Sequence, residues 1–210
     1  MANKGYYDID IDFDVFMQSC GITDLFWLKD AKLRKFYLND GVDQESIHEI
    51  ARHILQINAE DDGVPVEERK PIRVYIASNG GSVVDGFELI DVIESSVTPV
   101  YTIVLANAYS MGFLISLCGH KRFAMKSASF LHHDGSNLVW DSGTKAQDQM
   151  AFNKRFDDRI KAYVISHSNI TEDEYDSKLR VEWYMFANEA KEKGFTDYII
   201  GEDCALSEVI

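Results

Sequence analysis

Cysteine is scarce in this chain: three residues in 210, Cys20, Cys118 and Cys204, are widely scattered, odd in number and without a C-x-x-C pair. Such usage supports neither a disulfide framework nor a zinc knuckle, and it suits a reducing compartment. Basic residues are also in deficit. Lys and Arg total 21 against 35 Asp and Glu, which leaves a net charge of −14. A nucleic-acid binder needs a basic stripe to displace counterions from phosphates, and an anionic membrane surface demands the same sign, so neither partner is expected. No apolar run approaches the ~20 residues of a bilayer span, and the opening MANKGYYDIDIDFD lacks the apolar stretch of a signal peptide. A soluble, cytoplasmic protein is the expectation. Of the three prolines, two fall in the charged stretch AEDDGVPVEERKP (59–71), which reads as an exposed connection.

What is present is an apolar fraction of 46%, enough at this length for one substantial core. The segment YDIDIDFDVF (7–16) alternates Asp with apolar residues, the period of a half-buried strand. A calcium loop fails there, because the sixth and twelfth positions, which need Gly and Glu, hold Phe13 and Ser19. Regularity begins near Arg34. Lys35 to Leu38 predicts a short strand, followed by the turn residues Asn39, Asp40 and Gly41. From Asp43, a suitable cap, Ile47, Ile50, Ala51, Ile54 and Leu55 recur at helical spacing. Ile72 to Ala77 and Val100 to Leu105 are β-rich runs, and helices are expected over Ser82 to Ser95 and from Ser110 to about Cys118. Arg122 to Met125 and Phe130 to His132 read as further short strands. Strands alternating with helices imply an α/β fold. A long polar helix is expected over Thr144 to His167. Thr171 to Glu174 spells a capping box, and a last helix over Ala187 to Lys193 should stop at Gly194.

Chemistry concentrates at three places. Ser110 stands where a strand turns into a helix, with small Ala108 and Gly112 two residues to either side. That spacing resembles the nucleophile elbow of hydrolases, although a serine there also serves as an ordinary helix cap. Asn79-Gly80-Gly81-Ser82 likewise lies between a strand and a helix, so its amides suit either an oxyanion hole or a plain glycine turn. His132 and His133 are neighbours on a strand and must point to opposite faces, so only one can serve a given site. His48 and His53, five apart on a helix, do not make a metal pair.

Together these stretches resemble the ClpP family, the proteolytic subunits of the caseinolytic (Clp) protease, over roughly Arg34 to Ile199. The resemblance rests on FYLNDGVD, YIASNGGSVVDGFELIDVI, ANAYSMG, KRFAMKSASFLHHDG and ANEAKEKGFTD in that order. It implies a ClpP/crotonase-like superhelix of repeated β-β-α units, residues 34–210 forming the peptidase domain, with Thr144 to His167 as a protruding handle helix. It implies Ser110 as nucleophile, His133 rather than His132 as base, and oxyanion amides on Gly81 and Met111. The stretch Gly81, Ser82, Val83 and Val84 would be extended and pair with substrate as an added strand. The family's third triad member is an Asp, and the matching residue here is Glu182. The family's S-P-G-G becomes Ser78-Asn79-Gly80-Gly81, and residues 1–33 diverge from its N-terminal hairpin.

By the same resemblance the substrate is a peptide or unfolded protein, no cofactor or metal is needed, and the assembly is a homo-oligomeric ring, heptameric in the family. An ATP-dependent unfoldase is the implied partner. Two other readings stay open at this point: a ring subunit with a degraded site, motivated by Glu182 and Asn79, and a crotonase-type acyl-CoA enzyme with a similar oxyanion hole.

Overall fold

The structure is a computed structural model that describes residues 21–135 and 143–210. The alternating segment 7–16, Cys20 and the calcium-loop reading lie outside them. Helix α1 (Ile22–Lys32) precedes strand β1 (Lys35–Leu38). Helix α2 (Gln44–Glu60) is capped by the Asp43 carboxylate, which accepts from Ser46 N at 2.9 Å. Its apolar stripe is buried through Ile47, Ile50, Ile54 and Ile57. Leu55, assigned to that stripe by spacing, is 59% exposed, and His53 is buried in its place, stacked on Phe36 at 5.0 Å.

Then follow β2 (Ile72–Ser78), α3 (Val83–Ser95), β3 (Val100–Tyr109), α4 (Met111–Leu117), β4 (Lys121–Met125) and β5 (Ser129–His132). The handle, α5, runs over Gly143–Ser166, one residue off the expected span at each end. A short α6 (Glu172–Ser177) leads to β6 (Trp183–Phe186), α7 (Ala187–Glu192) and β7 (Tyr198–Ile200). Thr171 caps α6 through Glu174 N, but the reciprocal half of the capping box is absent, because the Glu174 carboxylate instead takes Lys193 at 2.6 Å.

The parallel order β1-β2-β3-β4-β7 forms the body of a seven-stranded sheet among the described residues. Alternation sorts its side chains. Ile72, Val74 and Ile76 of β2, with Val100 and Val104 of β3, face the main core with α2, α3 and α4. Tyr75, Ile103 and Phe123 face the opposite side, where Ile200 and Val209 complete a smaller cluster. Burying each aliphatic side chain is worth about 1.5–3 kcal/mol, so the helices are bound to the sheet chiefly by this face.

Strand β3 is twice as long as most of its neighbours and changes partner along its length. Residues 101–104 pair with β4, whereas Asn107, Ala108 and Tyr109 pair with β5. β5 in turn pairs antiparallel with β6. This α/β arrangement is that of the ClpP-like superhelix expected from the motifs, and its fork sets the ends of β2, β3 and β5 side by side. The handle has a different character: of its 24 residues only Val164 is buried, and Met150 and Phe152 are exposed.

Candidate active site

Ser110 follows the last residue of β3 with φ 52° and ψ −120°, a region that glycine favours and that costs other residues on the order of 1–3 kcal/mol. Backbone hydrogen bonds on both sides fix it there. Its N–H donates to Leu131 O at 2.9 Å, and its carbonyl accepts from Phe113 N at 3.0 Å as α4 begins. The side chain makes no capping bond. The helix-cap reading of Ser110 therefore does not describe what its hydroxyl does, and the sharp turn matches the elbow reading. No hydrogen bond among the described residues uses the Met111 amide, one of the unpaired donors that open a helix.

The glycine turn is anchored on β1's side. Ser78 Oγ donates to Asp40 O at 2.6 Å and accepts from Gly80 N at 3.1 Å. Val42 N donates to Gly80 O at 3.0 Å, and Ser82 N donates to Val42 O at 2.7 Å. Because successive amides of an extended chain point to alternate edges, these two bonds turn the intervening Gly81 N–H toward the β3 edge, where Ser110 lies. The approach is close enough to exclude side chains. A Cβ on Gly80 would sit 2.6 Å from Tyr109 O, 2.7 Å from Ser110 Cβ and 2.8 Å from Met111 N, and one on Gly81 would sit 2.3 Å from Val42 O. Asn79, where the family motif has proline, is held from β3 by Asn107 Nδ2 donating to its Oδ1 at 2.9 Å. Nothing in the sequence pattern pointed to Asn107.

The extended stretch is shorter than expected. Ser82 is the N-cap of α3, with its N–H on Val42 O and its carbonyl accepting from Gly86 N, and Val83 and Val84 are already helical, so strand-like pairing with an added chain is confined to Gly81. Val84 remains exposed at the edge of the turn.

The two histidines separate as alternation across the end of β5 requires. His132 is buried between Phe113 and Tyr175, with ring centroids at 5.4 and 5.1 Å, and burial pushes its pKa down to about 4. His133 emerges beyond the strand end, and its Nδ1 lies 3.1 Å from Glu182 Oε1. The β5–β6 register explains that meeting. Its last backbone pair is His132 with Trp183, so one further step sets Glu182 opposite His133. Side-chain exposures of 23% for His133 and 58% for Glu182 make this a partly solvated pair. Past His133 a cleft of about 550 Å³ opens toward Asp157, Lys161, Tyr175 and Leu179. Among the described residues no group of three His, Cys, Asp or Glu side chains is placed to hold a metal ion.

Residues 27–203 match the family model for Clp protease. The chain belongs to the Clp protease family. A curated relative, the ATP-dependent Clp protease proteolytic subunit 2 of Treponema pallidum (strain Nichols), is 24% identical over 178 residues, covering 84% of this chain and 86% of the relative. Membership of the Clp protease family makes a ClpP-like peptidase the coarse assignment. The family match begins at Trp27, seven residues before the resemblance at Arg34, and takes in part of α1, where Trp27 Nε1 donates to Glu49 of α2 at 2.9 Å. No helix among the described residues is long and apolar enough to cross a membrane.

Proposed function

We propose that the chain is a serine endopeptidase acting on peptides or unfolded proteins. The observation that carries the reading is the His133–Glu182 contact, formed where the strand carrying Leu131 pairs beside the Ser110 elbow. His133 Nε2 takes the proton from Ser110 Oγ as that oxygen attacks a substrate carbonyl, and then returns it to the leaving amine. Glu182, on Nδ1, fixes the tautomer that leaves Nε2 free to accept, and stabilises the imidazolium. The Gly81 and Met111 amides receive the oxyanion, a role in which losing one donor costs about 10²–10³ in turnover. Gly81 aligns the substrate backbone. Water, activated by the same histidine, then hydrolyses the acyl-enzyme, and no cofactor enters either step.

The handle and the relative's name bear on assembly and partners. Met150 and Phe152 leave apolar surface on α5 that association would bury, and the proposed form is a homo-oligomeric ring in the cytoplasm. The Treponema relative is described as ATP-dependent, which makes an ATP-driven unfoldase the proposed partner. A catalytically inactive ring subunit is the second reading, favoured by the solvation of Glu182. The Clp protease match gives the crotonase alternative no support.

Labelling with a fluorophosphonate and hydrolysis of a fluorogenic peptide separate the two readings. The peptidase is labelled once per chain and loses both labelling and turnover in Ser110→Ala, while light scattering shows assemblies well above the 23.9 kDa chain. Hydrolysis surviving in Ser110→Ala overturns the assignment of the nucleophile. Absence of labelling and turnover in the wild type favours the inactive subunit.

A further inference from the structure

The β5–β6 ladder ends at His132 and Trp183, yet the two chains stay together beyond it. The turn that delivers Glu182 is only partly self-sufficient. Lys178 N, Leu179 N and Val181 N donate to Tyr175 O, Asp176 O and Lys178 O within the turn. The Arg180 N–H does not join them; it crosses to the loop after β5 and donates to Asp134 Oδ2 at 2.9 Å. Arg180 itself sits at φ 65°, a conformation that side-chain-bearing residues hold only when their surroundings insist on it. Two neighbouring residues thus grip one short turn: His133 meets Glu182, and Asp134 holds the amide two positions earlier.

We propose that Asp134 is a positioning residue: its carboxylate, bound to the Arg180 amide, continues the β5–β6 ladder by a side chain and so holds Glu182 against His133. The proposal rests on the reading of His133 and Glu182 given above. Glutamate has one more rotatable bond than the family's aspartate, so its carboxylate is located less by its own side chain and more by where the turn is fixed. A carboxylate accepting an amide proton is a charge-assisted bond and suits that task. The contact is exposed, so water replaces it readily when it is lost, and its removal loosens the turn without opening the core.

Asp134→Ala, Asp134→Asn and Arg180→Gly are compared with the wild type and with Ser110→Ala by steady-state peptide hydrolysis and thermal melting. Asp134→Ala should lower kcat about ten- to a hundredfold with KM within about twofold, since a displacement of about 1 Å in a catalytic group is enough for that loss. The melting temperature should fall by no more than about 2 °C. Asp134→Asn keeps an acceptor oxygen and should recover most of the lost kcat. Arg180→Gly keeps the amide in a conformation glycine accepts freely, and should stay within about threefold of wild type. An unchanged kcat in Asp134→Ala overturns the proposal, as does an Asn variant as slow as the Ala variant, which would assign the effect to charge. An Arg180→Gly loss equal to that of Asp134→Ala also overturns it, because the guanidinium would then be the working group. Activity surviving in Ser110→Ala is the separate signature that the peptidase assignment itself has failed.

Discussion

Replacing Gly80 by alanine tests the placement of the elbow against the glycine turn, and its cost divides into two parts. The first is conformational. Gly80 has φ 90°, where an alanine is strained by about 1–2 kcal/mol, partly offset by the ~0.4–1 kcal/mol that the stiffer residue gains through the unfolded chain. Gly63, at φ 80° with nothing within 4 Å of an added Cβ, isolates this part: Gly63→Ala should cost about 1 kcal/mol or less. The second part is overlap. The new methyl at Gly80 would lie under 3.0 Å from Tyr109 O, Ser110 Cβ and Met111 N. None can retreat, because Tyr109 is paired with Leu131 and Ser110 N is bonded to Leu131 O. Overpacking of this kind costs about 1–3 kcal/mol, so Gly80→Ala should lose about 3 kcal/mol in all. For a chain of this size that is a fall of about 6–12 °C in melting temperature, against less than about 4 °C for Gly63→Ala. Chemical unfolding at one fixed protein concentration measures both. Peptide hydrolysis should fall at least about a hundredfold in Gly80→Ala alone, since the elbow and the Gly81 amide are displaced together. A Gly80→Ala variant that melts with Gly63→Ala and still cleaves peptide would refute the close approach of the two turns.

Two further expectations concern the residues around His133. Glu182→Gln should cut kcat by about 10²–10³, because an amide on Nδ1 permits the wrong tautomer; the figure lies below the 10⁴ known for buried triad carboxylates because this one is solvent-screened. Glu182→Asp should be slower than wild type as well, because the turn is set for the longer side chain; turnover equal to wild type would contradict that. His132 contributes to acid stability, as does His53, whose pKa burial also lowers: the His132 pKa is about 4 folded and about 6.5 unfolded, so the unfolded chain binds a proton first as pH falls. Stability should therefore decline between about pH 6.5 and pH 4, by up to ~3 kcal/mol, and the slope due to this residue should vanish in His132→Phe; an unaltered slope in that variant would show that the charge is taken up elsewhere.

Much of this architecture was legible from periodicity. The α2 stripe, the strands β1 and β2 and the turn at Gly194, observed at φ 75°, follow from apolar spacing and glycine placement. Two-residue alternation also separates His132 from His133, whereas the choice of His133 as the proposed base comes from the family resemblance. Other features depend on tertiary pairing. β3 continues through Ala106, Asn107 and Ala108, poor strand formers, because β5 supplies a new partner there. β6 is four residues long and carries too few alternations to be distinguished from the turn before it. Glu182 was reached by motif matching alone, and the physical reason for its position, a register extended past the end of two strands, exists only in the folded sheet.

The backbone at Ser110 has a consequence for how variants of this protein are chosen. Because φ 52° with ψ −120° suits glycine, Ser110→Gly relieves strain that serine must carry, by about 1 kcal/mol or more after glycine's own entropy is counted. Consensus design, directed evolution for heat resistance or any survey that ranks sequences by melting temperature would thus be rewarded for deleting the hydroxyl. Screens of this chain need a selection for turnover alongside one for stability, or they will enrich well-folded proteins that have lost the proposed nucleophile.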